Sequence, residues 1–71
     1  MLYNNRQIGI IISRMRTEKG MTQEQLAGLA GISRSHLALV ESGRKVLRLD
    51  TLWKIAEGLG TEAWRILKEG D

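Results

Sequence analysis

MTQEQLAGLAGISRSHLALVESGR, residues 21–44, is the stretch on which the fold turns. Thr22 stands where a helix N-cap belongs, and Gln25 three residues later completes a capping box, in which each side chain serves the other residue's backbone N–H. Met21 and Leu26 flank that cap at the spacing of a hydrophobic staple. Leu26, Ala27 and Ala30 then form a buried stripe at helical spacing. Gly31 can take the positive φ of a sharp turn without steric cost. Ser33 can cap a second helix, Ile32 and Leu37 repeat the staple spacing, and Leu37 and Val40 face inward until Ser42-Gly43 closes the segment. Two capped helices this short, joined by about three residues, cannot lie side by side as a long hairpin would. They cross at a steep angle.

Working outward, glycines divide the rest of the chain into pieces of helical length, because there is no proline to do so. About Asn5 to Lys19 forms a first helix with Ile8, Ile12 and Met15 inward, closed by Gly20 as a left-handed C-cap. A fourth helix runs from about Leu49 or Asp50 to Gly58, with Leu52, Ile55, Ala56 and Leu59 as its core stripe. Gly60 breaks the chain, Thr61 is placed to cap again, and Glu62 suits the positive end of a new helix. A fifth short helix, to about Glu69, turns Trp64 and Leu67 or Ile66 inward. With no alternating strand pattern and no repeat, the fold class is all-α: five helices in a single domain over residues 1–71.

Composition excludes several functions. At 71 residues, 42% hydrophobic and 27% charged, the chain is globular and holds one small core. It has no cysteine, so disulfides, cysteine-ligated zinc and thiol nucleophiles are out. The apolar run Ile8–Ile12 is too short to span a membrane, and no cleavage site follows it, so a cytoplasmic setting is expected. A net charge of +3 suits an anionic partner but does not require one. Its distribution says more: Arg34, Arg44, Lys45 and Arg48 face the single acid Glu41 between residues 34 and 48.

The helix-turn-helix of residues 21–44 resembles the phage-repressor or Cro-like family, also called the XRE family. The likeness extends through LDTLWKIAEGLG, residues 49–60, and takes in Ile8-Gly9 and Arg16 through Gly20, so it covers nearly the whole chain. It implies a lambda-repressor-like fold and sequence-specific binding of double-stranded DNA. The helix from about Ser33 would lie in the major groove while the preceding helix crosses the backbone. Its outward face is Arg34, Ser35, Ala38 and Leu39. Arginine can grip guanine O6 and N7, serine can meet a base edge or phosphate, and Ala38 and Leu39 are restricted to thymine methyls. The family often carries a polar residue where Leu39 stands. Thr22 and Gln23 offer a helix N-terminus and an amide to a phosphate. Ser33, His36, Arg44, Lys45 and Arg48 complete the expected phosphate-binding set, the last three in the loop that runs along the backbone in the family. Arg16 and Glu41 occupy the positions of the family's interhelical ion pair, and a structural role is expected of them.

His36, the one histidine, lacks companions for a metal or for catalysis, so it reads as a surface or phosphate-facing side chain. With Ile8, Ile12 and Met15 inward, at least one of Ile10 and Ile11 must face out. Together with Leu2 and Tyr3 they form a candidate surface for another subunit. Trp53 and Trp64 are further candidates for a dimer or partner surface, although core packing accounts for at least one of them on this reading. The expected function is a transcriptional regulator, a repressor acting as a homodimer on an operator, with no cofactor, metal, small-molecule ligand or membrane involved. A second reading stays open: an antitoxin-like or adaptor module whose main ligand is another protein. An enzyme is not expected, because nothing in the chain carries chemistry.

Overall fold

A computed structural model describes residues 4–69 as five α-helices: α1 (Asn5–Glu18), α2 (Gln23–Ala30), α3 (Arg34–Glu41), α4 (Leu49–Leu59) and α5 (Ala63–Glu69). Among those residues there is no strand. The first three helix starts each have a local cause. Asn4 Oδ1 accepts from Arg6 N at 2.9 Å and Gln7 N at 3.2 Å, opening α1. The capping box of α2 is closed both ways, Gln25 N donating to Thr22 Oγ1 at 3.0 Å and Thr22 N to Gln25 Oε1 at 2.9 Å. Ser33 Oγ accepts from His36 N at 3.0 Å and opens α3. The turn between α2 and α3 is made by Gly31 at φ 71, with Ile32 N reaching back to Ala27 O at 3.0 Å. A left-handed residue of this kind closes a helix by satisfying its last carbonyls.

All five helices contribute to one apolar cluster. Ile12, Leu26, Leu37, Ile55, Leu59 and Ile66 are completely enclosed, and each contributes about 1.5–3 kcal/mol relative to exposure. α2 packs most extensively on α4, and α1 on α3. The α1–α3 crossing needs glycine. A Cβ on Gly9 would stand 2.4 Å from the Val40 carbonyl oxygen, and one on Gly43, at φ +74, would stand 2.6 Å from Arg6 Cα. These close approaches bring the N-terminal end of α1 against the α3–α4 loop, where Asn5 Oδ1 also accepts from Leu47 N at 3.5 Å.

Four expectations are corrected. Ile11 is buried at 6% exposure and belongs to the core, while Ile10, 56% exposed, carries the outward role alone. The inward face of α1 is wide enough for Ile8, Ile11, Ile12 and Met15 together, which rotates only Ile10 into solvent. Trp64 does not turn inward, and neither tryptophan is in the core: Trp53 is 61% exposed and Trp64 50%. In the short α5 the spacing of Ala63, Ile66 and Leu67 defines the packed face, and Trp64 falls beside it. Finally, Thr61 does not cap α5, which begins at Ala63. Its N–H instead closes α4 by donating to Ala56 O at 3.0 Å, so the reversal after Gly60 takes one residue more. Leu2 and Tyr3 lie outside the described residues. No helix among the described residues is long and apolar enough to cross a membrane.

Candidate nucleic-acid interface

α3 is amphipathic in the sense a reading helix requires. Leu37 and Val40 are shut into the core, whereas Arg34, Ser35 and Leu39 are exposed and Ala38 and His36 half-buried. The outward positions recur at i and i+4, so they share one face. Ser33 spends its hydroxyl on the cap, which leaves the Arg34 and Ser35 backbone N–H groups at the open end of the helix. α2 repeats the arrangement. Its capping box occupies the N–H groups of Thr22 and Gln25, while those of Gln23 and Glu24 carry no hydrogen bond among the described residues. Thr22 is exposed and Gln23 half-buried at that end.

Behind these two ends lies one carboxylate. Glu41 Oε2 accepts from Arg16 Nε at 2.8 Å and Oε1 from Arg16 Nη2 at 3.1 Å, a two-pronged pair linking α3 to α1. Arg16 Nη1 also donates to the Met21 carbonyl at 2.7 Å, and Gln23 Nε2 donates to Glu41 Oε1 at 3.0 Å. The side chains are 12% and 6% exposed, so the pair is largely withdrawn from solvent and its geometry is held by four hydrogen bonds. The Gln23 bond was not legible in the sequence, because it depends on the angle at which α2 meets α3. It leaves one amide N–H of Gln23 for an outside acceptor.

Arg44, Lys45 and Arg48 are exposed on the loop that follows α3. Arg48 shares its charge with Asp50, Nε to Oδ1 at 3.3 Å, so Arg44 and Lys45 are the freer cations of the three. The fold adds Arg6, an exposed arginine whose backbone lies against Gly43. No local pattern points to Arg6, since 37 positions separate the two residues and only the α1–α3 crossing joins them. Exposed backbone donors, an arginine on an outward helix face and a basic loop are what the polyanionic surface and base edges of duplex DNA call for.

The family model described as "Helix-turn-helix" matches residues 12–63. The chain belongs to this family of helix-turn-helix transcription regulators. Its members are DNA-binding proteins and not enzymes. This regulator is 38% identical over 53 residues to the uncharacterized HTH-type transcriptional regulator y4dJ of Sinorhizobium fredii, a match spanning 75% of this chain and 69% of that one. It is 40% identical over 62 residues to the immunity repressor protein of Bacillus phage phi105, covering 87% of this chain but 43% of the phage protein. Its fold superposes on the restriction-modification controller protein C.AhdI of Aeromonas hydrophila with a TM-score of 0.85 at 34% identity, over 87% of this chain and 94% of that one.

Proposed function

We propose that this regulator is a repressor that binds an operator as a homodimer in the cytoplasm, with α3 in the major groove and the N-terminus of α2 on the phosphate backbone. The observation that carries the reading is the outward face of α3, where Arg34 and Ser35 are exposed beside a buried Leu37–Val40 seam. Arg34 reads guanine, Ser35 meets a base edge or a phosphate, and Thr22, Gln23, Ser33, His36, Arg44, Lys45 and Arg48 hold the backbone, joined by Arg6. The kinship with a phage immunity repressor supports the direction of regulation.

The dimer face proposed is the exposed side of α4 and α5. Leu49 and Trp53 stand one helical turn apart on α4, and a cleft of about 460 Å³ joins Trp53 to Ala63 and Trp64. Large aromatic side chains left in water on a domain this small favour a covering surface. Because both tryptophans of the chain lie on this face, their fluorescence reports its burial directly. Loss of Ile11 to the core leaves Ile10 and Leu39 to support the rival reading, a module for a protein partner.

Selection of binding sites from a random duplex pool tests the proposal. Enriched sequences are expected to contain paired half-sites about one helical turn, 34 Å, apart. A pool without enrichment, or one enriched only in unpaired sites, would count against operator binding or against the dimer respectively.

A further inference from the structure

We propose that Leu39, with Ala38 beside it, reads the 5-methyl groups of pyrimidines in the major groove, so that thymine and 5-methylcytosine are favoured over unmethylated pyrimidines at the same position. This rests on the DNA-binding reading above and assigns the chemistry that its second helical turn recognises. Leu37 and Val40 are buried, but Leu39 between them is 40% exposed, one helical turn beyond Ser35 and at the other edge of the outward arc from Arg34. The core does not need Leu39 where it stands. Its backbone is nevertheless firmly held: the Leu39 carbonyl accepts from Arg44 N at 3.0 Å and from Ser42 Oγ at 3.0 Å. The side chain therefore projects from an anchored turn of α3.

Neither leucine nor alanine has a hydrogen-bonding head. The major-groove edge of a base pair offers acceptors and donors, and its one apolar group is the methyl at C5 of thymine. Leucine placed against a polar edge strips water from it and returns no hydrogen bond, whereas against a methyl it removes apolar surface from water. The preference follows from both effects acting in the same direction. It extends to 5-methylcytosine because that methyl occupies the same place in the groove. Five residues separate Leu39 from Arg34, about 7.5 Å along the helix axis at 1.5 Å per residue. The methyl is therefore expected within the same half-site as the guanine gripped by Arg34.

The experiment uses the full chain and the duplex found by selection, with each thymine replaced in turn by deoxyuridine. At the Leu39 position the replacement is expected to weaken binding about fourfold, the factor corresponding to one buried methylene-sized group. A C·G pair at that position is expected to bind more tightly when its cytosine is 5-methylated, by a similar factor. Leu39→Ala should flatten the thymine-to-uracil ratio, and Leu39→Met, which keeps the apolar reach, should preserve it. The ratio is taken within each variant, so a loss of folded protein cancels. Uniform tolerance of uracil, or a ratio that survives in Leu39→Ala, overturns the assignment while leaving operator binding intact. Failure to bind any duplex overturns both.

Discussion

Arg34 projects from the first turn of α3 into solvent, while the residues that hold the helix in place are buried behind it. Removing its guanidinium therefore leaves packing intact, and any effect falls on the contact with DNA proposed for it. Arg34→Ala is expected to cost about 1–3 kcal/mol of discrimination at one guanine, measured by fluorescence anisotropy on the selected duplex and on duplexes changed at that base, with an unchanged melting temperature. Glu41 has the opposite character. Its carboxylate holds Arg16 and Gln23 at once, so Glu41→Ala strands a guanidinium that is only 12% exposed. A loss of about 3 kcal/mol in stability is expected, read as a lower midpoint in urea. Unchanged stability in that variant would show that water satisfies Arg16 as well as Glu41 does.

At the scale of elements, two glycines in helices predict opposite outcomes. Gly28 lies inside α2 with nothing within 4 Å of the place its Cβ would take. Gly28→Ala is expected to stabilise the protein by about 0.5–1 kcal/mol, because alanine loses less backbone freedom on folding. Gly9 meets the end of α3, and a Cβ there would press into the Val40 and Glu41 carbonyls at 2.4 and 2.7 Å. Gly9→Ala is expected to destabilise by about 1–3 kcal/mol as the helices are forced apart. Thermal unfolding followed by circular dichroism measures both. The contrast also shows why the fold was more legible than the site. Thr22, Gln25, Gly31 and Ser33 act within a few residues of themselves, so their spacing alone announces α2, the turn and α3. The roles of Gly9, Arg6 and Gln23 depend on which helix ends meet, and no local pattern carries that. The exposure of Trp64 is hidden from the sequence for a related reason: α5 is seven residues long, and so short a periodicity does not separate the Ala63–Ile66–Leu67 face from its neighbour.

For the whole molecule, three of the cations proposed to meet phosphate and the apolar side chains proposed to meet a second copy lie on different elements, with Arg48 alone beside Leu49 and Trp53, and they predict separable behaviours. Arg44, Lys45 and Arg6 lie at the α3–α4 loop and the start of α1, whereas Leu49, Trp53 and Trp64 lie on α4 and α5. Salt should therefore act on DNA binding through the first set. The logarithm of affinity is expected to fall linearly with the logarithm of salt concentration, and Lys45→Ala, which removes one phosphate contact from each protomer, to reduce the slope for a dimer by about two units. Dilution should act through the second set. Trp53→Arg is expected to shift the sedimentation coefficient from dimer to monomer and the tryptophan emission towards the red, with helical content retained. A wild-type chain that sediments as a monomer at every concentration would remove the α4–α5 face from the account.

The Arg16–Glu41–Gln23 cluster has a consequence for how such a protein diversifies. It locks three helices from behind, and none of the four outward side chains of α3 takes part in it. The lock and the outward face of α3 are thus physically separate. Exchanging Arg34, Ser35, Ala38 and Leu39 as a set is expected to leave the frame in its shape, which on the proposed reading would make the chain a cassette for new target sequences.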